Sequence, residues 1–327
     1  MSLFPVLNSA RHSSRFPARQ RRDRLRSWIR LVTLSAIVSL TAPSLAQTWT
    51  PAYDGRSEPD GLFYGISGMA VLEEASDYQS DRMELLVVHD NKSDDSGRFS
   101  LVSWRDGTIA LEPVTWASDL PLPIDLEGLS PIPGDDRFIA LESDGEFYRV
   151  AFDRVAMAVT VSDRGVVPPL PEGSNLESIA LTRLADQTLI VWAHRGQDDD
   201  PAILYWGTID LETLAITPIG SQPVSVPAPV GNVRHISDLT VTSTGQVFIS
   251  SATDNGNDGP FESIAYEIGL FSLDDNNLPT FTPYPDFIEL GDGDGYKVEA
   301  IIRDPLRANP AVLLGTDDEN FGSAIGR

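Results

Sequence analysis

Short apolar runs broken by Gly, Pro, Asp and Asn set the pattern of this chain. The runs are rich in Val, Ile, Phe, Tyr and Thr, and apolar stripes of helical period are missing, so the pattern predicts strands joined by turns. It is clearest from Ile124 to Phe152, IDLEGLSPIPGDDRFIALESDGEFYRVAF: a Glu-Gly-Leu opening, an apolar run, a polar turn, a second apolar run ending in acids, and a third alternating run. Four other stretches echo it: ISGMAV from Ile66, NLESIAL from Asn175, HISDLTV from His235 and YKVEAII from Tyr296. Taking Gly68, Gly128, Ser178, Asp238 and Ala300 as the common register mark, the intervals are 60, 50, 60 and 62 residues. A signature recurring at that spacing predicts a stacked or radial repeat fold.

Each of the first four repeats holds four strand-like runs. The second, for example, reads LSPI, RFIAL, EFYRVAF and AVTV. The last repeat supplies VEAII, AVLLG and GSAIG before Arg327, and Thr48 to Tyr53 offers the missing outer strand. The expected fold is an all-β single propeller of five four-stranded blades, its last blade closed by the N-terminal strand. Six blades, one of them degenerate and merged into a long repeat, is the rival count.

The first 46 residues stand apart from this pattern. Residues 1–30 hold eight arginines and one acid, LVTLSAIVSL follows from Leu31, and Ser44 and Ala46 frame a cut before Gln47. A basic region, a short apolar region and a small-x-small exit read as a secretory signal peptide, with the propeller domain at 47–327. The apolar run is well short of the ~20 residues that cross a bilayer, so no stable membrane insertion is expected after cleavage. The expected location is secreted or periplasmic. Residues 47–327 then hold 16 Lys and Arg against 47 Asp and Glu, a charge of −31. That field repels nucleic acid and attracts cations. There is no cysteine, and a chain this long can bury its core without disulfides.

In a propeller the innermost strand of each blade begins on the same face where the second strand ends. The repeat register therefore brings Ser67, Glu127, Glu177, Ser237 and Glu299 to one channel mouth, together with the strand ends HDN at His89, ESD at Glu142, HRG at His194, TDN at Thr253 and TDDEN at Thr316. Carboxylates crowded on one axis repel each other unless a cation or protons intervene. A set of oxygen ligands suits Ca²⁺, with Glu127, Glu177 and Glu299 as first candidates and Asp90, Asp254 and Asp318 next. Alternatively, the Glu side chains bond backbone amides of the neighbouring blade and lock the blades together. His89, His194 and His235 fall on the same rim, as do Arg195, Arg234 and Lys297. The basic groups can clamp an anionic ligand such as phosphate, and His194 or His235 can move protons; the simpler expectation is that Arg234 and Lys297 pair with the nearby Glu residues. Asp254 to Gly259 resembles the start of a calcium loop, but Ala265 stands where its twelfth position needs an acid.

DLEGLSPIPG, NLESIALT, ALESDG, ISGMAV with VVHDN, and KVEAII with LLGTDDENFG together resemble the phytase-like, esterase-like propeller family over roughly residues 66–322. That resemblance implies a secreted propeller with bound calcium and hydrolysis of phosphate esters. It points to Glu127, Glu177 and Glu299 and to the acidic ends Asp90, Glu142 and Asp318. Ser67 and Ser237 depart from the family's Glu, and His194-Arg195 replaces an acidic pair. Two functions follow as expectations. One is a metal-dependent phosphoester hydrolase acting on a small anionic substrate. The other is a non-catalytic propeller that binds a glycan, peptide or protein.

Overall fold

The computed structural model describes residues 47–55, 61–72, 82–307 and 311–327. The signal-peptide reading of residues 1–46 lies outside them. Among the described residues no helix is long and apolar enough to cross a membrane.

Among the described residues, twenty strands form three antiparallel sheets of four and one sheet of eight, which divides into two antiparallel units of four. Unit 1 is β2 (Gly68–Val71), β3 (Arg82–Val88), β4 (Phe99–Arg105) and β5 (Thr108–Trp116); unit 2 is β6 (Leu126–Pro131), β7 (Phe138–Glu142), β8 (Glu146–Asp153) and β9 (Ala158–Val166). Unit 3 is β10 (Leu176–Leu184), β11 (Gln187–His194), β12 (Ala202–Ile209) and β13 (Ile216–Val224); unit 4 is β14 (Val233–Val241), β15 (Gln246–Thr253), β16 (Ser263–Leu273) and β17 (Pro279–Asp292). Unit 5 joins the two ends of the described chain: β18 (Val298–Arg303), β19 (Val312–Thr316) and β20 (Gly322–Gly326) continue outward to β1 (Trp49–Asp54), in the order β18-β19-β20-β1. Trp49 pairs with Gly326 and Asp54 with Gly322, the arrangement the sequence predicts for Thr48 to Tyr53. Units 1 and 2 also touch edge to edge, where β5 and β9 run parallel at Thr115↔Ala158 and Trp116↔Val159.

The apolar runs are unbroken because both faces of these strands are buried. Side chains alternate across a strand, so successive residues serve different neighbours. In β3, Leu86 and Val88 pack toward unit 2 with Phe138, Ala140 and Val150. Leu85 and Val87 pack the other way, toward Ala300, Leu313 and Ile325 of unit 5. Corresponding clusters lie between units 2 and 3, 3 and 4, and 4 and 5. Every unit thus shares a core with the unit before and after it, and the ring closes: the described residues make a β-propeller.

Close to the axis, small residues let the inner strands approach. A Cβ on Gly68 would lie 2.9 Å from the Leu129 nitrogen, and one on Gly128 would lie 3.0 Å from the Ile179 nitrogen. Buried polar side chains tie neighbouring units. Asp238 accepts the Leu239 and Ile301 N–H groups, each at 2.7 Å, joining β14 to β18. Ser130 Oγ accepts from Leu181 N–H at 2.8 Å, and Ser263 Oγ from Val298 N–H at 2.9 Å. The amide-locking role that the sequence offers to the Glu residues is thus filled between units by Asp238 and two serines.

Candidate functional site

One backbone device repeats at the mouth. In β6, pairing skips from Leu126↔Glu142 to Gly128↔Leu141, which leaves Glu127 as the extra residue of a bulge. Glu177 is the extra residue between Leu176↔His194 and Ser178↔Ala193, and Glu299 between Val298↔Thr316 and Ala300↔Gly315. A bulge frees one residue from the ladder and re-aims its side chain. In β14 the irregularity is wider, with residues 235–237 standing between Arg234↔Ala252 and Asp238↔Ser250. Ser67 precedes β2 and donates its N–H to Val88. Both Ser67 and Ser237 are buried, and among the described residues neither hydroxyl has a hydrogen-bond partner.

The three bulged glutamates have different partners. Glu177 faces Arg195 and Arg234, each at 3.4 Å. Glu299 Oε1 lies 2.6 Å from Arg234 and 3.2 Å from Lys297. Arg234 also holds Asp254 at 2.8 Å, and Lys297 holds Asp317 at 3.5 Å and Glu319. The cations are therefore paired with carboxylates, as the simpler of the two expectations has it. Burial works against the charge of both Arg234 and Lys297, yet the glutamates and aspartates around them outweigh it and raise both above their usual range. Burial pushes Glu177 up to about 7 even with Arg234 opposing.

Glu127 lies outside this network. It is 8% exposed and, among the described residues, has neither a hydrogen bond nor an ion pair. Its carboxylate sits with those of Asp90 and Asp125, one oxygen from each lying within 4.8 Å of the others. Burial, then the charges of Glu177 and Asp90, hold Glu127 well above the usual carboxylate range. Burial and Glu299 push Asp90 up to about 6. Asp125 is anchored: its φ is +65°, its Oδ2 accepts from Ser143 Oγ at 2.6 Å, and the exposed Lys92 lies 2.9 Å from its Oδ1.

The remaining sequence-chosen residues take backbone partners. Asp318 accepts from Lys297 N–H and Thr316 Oγ, each at 2.8 Å. Glu142 accepts from Ile124 N–H and the Tyr148 hydroxyl and is not one of the three clustered carboxylates. His235 accepts from Val226 N–H at 3.2 Å and contacts the Asp198 carbonyl at 2.8 Å through Nε2, so both ring nitrogens are engaged. His194 Nδ1 accepts from Asn175 N–H at 3.0 Å. His89 is buried between the Gly65 carbonyl and Ser100, and burial lowers it to about 4. Asp125 and Lys92 join the mouth without having been singled out from sequence, whereas Asp317 and Glu319 belong to the TDDEN strand end that the register places there. The signal available for Asp125 and Lys92 was nearness in the chain to Glu127 and Asp90.

Fold and mouth together define a β-propeller with an acidic, cation-threaded channel entrance. No protein-family model matches the chain, and no curated protein matches it. Among solved structures it is similar to a variant of the GH43 protein BlXynB from Bacillus licheniformis, at 12% identity and TM-score 0.42, covering 68% of this chain and 44% of that one. A GH43 endo-arabinanase from Bacillus licheniformis aligns at 12% identity and TM-score 0.43, over 82% of this chain and 93% of that one. The Dos1 propeller aligns at 12% identity and TM-score 0.36, over 77% and 52%. The chain thus spans less than half the length of the first of these and about half of the third. These likenesses carry no residue roles.

Proposed function

We propose that the mouth binds a divalent, oxygen-seeking cation of the calcium type at Asp90, Asp125 and Glu127, and that the bound ion receives an anionic ligand. The observation that carries this reading is Glu127, a buried carboxylate without a partner beside two other carboxylates. The donor set fits. Oxygens sharing one Ca²⁺ at ~2.4 Å can stand no more than ~4.8 Å apart, and an all-oxygen set in a chain without cysteine suits a hard ion. Carboxylates outnumber cations around the entrance, so a free anion would be repelled until a metal offsets that charge.

Within this reading the anionic ligand is a phosphate ester and the reaction its hydrolysis, in line with the sequence resemblance to phytase-like propellers. A bound ion would supply Lewis acidity toward a phosphoryl oxygen. The chain's part is to hold the carboxylates, with Asp125 fixed by Ser143 and Glu299 held by Arg234 and Lys297. A second reading, cation-dependent ligand binding without turnover, is favoured by His89 and His235, whose ring nitrogens are all engaged within the fold.

Calorimetric calcium titration of residues 47–327 tests the site. Binding is expected in the wild type, with affinity reduced at least tenfold in Glu127→Gln; a wild type that takes up no heat-detectable calcium and shows no calcium-dependent rise in Tm overturns it. Phosphate release from 4-nitrophenyl phosphate, with calcium and with chelator, then separates the two readings. Calcium-dependent release that is lost in Glu127→Gln identifies a hydrolase, and binding without release identifies the second reading.

A further inference from the structure

A cavity of about 380 Å³ opens on the same face, on the flank of unit 2. Asp125 lines it and also belongs to the three-carboxylate cluster, so cluster and cavity share a wall. The left-handed backbone of Asp125 makes the division: Ile124, before it, lines the cavity, and Glu127, two residues after it, joins the cluster. Leu120, Leu122 and Ile124 give the cavity apolar lining. Ile124 is 57% exposed, a large apolar side chain left in water at the entrance. Glu142, Asp144 and Glu146 join Asp125 as its acidic lining, with Arg164 the one lining cation, paired to Glu146 at 3.0 Å. Tyr148 also lines the cavity, and its hydroxyl donates to Glu142.

We propose that this cavity is the subsite for the organic group of the ligand, resting on the reading above in which the anionic end sits on the cation. The ligand class is then a monosubstituted phosphate or phosphonate carrying an apolar or aromatic group. The charges set the orientation. Four lining carboxylates, Asp125 at the wall shared with the cluster among them, against one arginine repel a dianionic head from the cavity and leave it to the neighbouring cation. The apolar lining and Tyr148 give a ring a surface to cover, and a volume near 380 Å³ is within the range of small-molecule sites. Among the described residues, Glu142 Oε1 carries both hydrogen bonds of that side chain, so Oε2 remains to accept a hydroxyl borne by the organic group.

The test compares phenylphosphonate with methylphosphonate, neither of which carries an ester to cleave, by calorimetry on the calcium-loaded protein. Phenylphosphonate is expected to bind about tenfold more tightly, since part of its ring is removed from water. In the double variant Leu122→Ser, Ile124→Ser that preference disappears while calcium affinity stays as in the wild type. Equal affinity of the wild type for the two phosphonates overturns the proposal even where calcium binds. If calcium does not bind, the cation assignment falls and the cavity is judged separately with phenol on metal-free protein. Phenol binding seen by NMR and lost in the double variant supports the subsite, and no phenol binding overturns it.

Discussion

Glu127, Glu177 and Glu299 occupy one backbone position in three repeats and have three different electrostatic settings. Glu177 and Glu299 are neutralised by guanidinium and ammonium groups, and only Glu127 is left with other carboxylates. A repeat register read from sequence places backbone positions, but it does not place the ends of long side chains. Arg234 reaches Glu177, Glu299 and Asp254 from one position, and no local pattern announces that reach. Asp318 gives a residue-level consequence in pH. Burial pushes it up to about 6 from the usual 3.8, with the Lys297 amide opposing. A carboxyl raised on folding contributes stability that is complete below about pH 4 and is lost as pH rises through 6. In urea titrations across pH, the unfolding free energy of wild type minus that of Asp318→Asn is expected to fall by roughly 2–3 kcal/mol between pH 4 and pH 7. A difference that stays level across that range would show the carboxyl to be ionised throughout.

At the scale of elements, inner strands are held together by what they lack. Alanine at Gly68 would press its Cβ to 2.9 Å from the Leu129 nitrogen and 3.0 Å from Gly128 Cα, both backbone atoms with little room to move. Gly68→Ala is expected to cost about 1–3 kcal/mol by overpacking, whereas Gly97→Ala, whose Cβ would meet nothing within 4 Å, stays near wild type. Chemical denaturation of the two variants side by side decides this, and equal midpoints would count against tight inner-strand contact. The strands themselves were legible in the sequence because burial on both faces leaves an unmistakable mark: unbroken apolar runs such as ELLVV and TLIVWA, ended by polar turns. The bulges were half legible. Glu-Gly-Leu and Glu-Ser-Ile showed that something recurs, but an extra residue in a ladder becomes visible only when the partner strand is known. The 14-residue β17 is only faintly marked in the sequence, because it lies at the outer edge and few of its residues are buried enough to carry the apolar signature.

For the whole molecule, closure depends on a strand that is distant in sequence from its unit. Trp49 stacks on Tyr296 with ring centroids 4.1 Å apart, and β1 covers the edge of β20. Removing residues 47–54 uncovers that edge and the aromatic contact together. The expected result is a fall in Tm of more than ~10 °C, with aggregation through the open strand, measured by a thermal melt against the intact 47–327 protein. An unchanged melt would mean that unit 5 holds without its outer strand. The same closure fixes how the molecule can be held. β20 begins at the mouth and runs away from it, and β1 runs back alongside, so Gln47 and Arg327 leave from the face opposite the mouth, where the Thr48 N–H meets the Arg327 carbonyl at 3.0 Å. A fused domain or an immobilising surface attached at Arg327 therefore grips the molecule from behind and presents Asp90, Asp125 and Glu127 outward to whatever approaches.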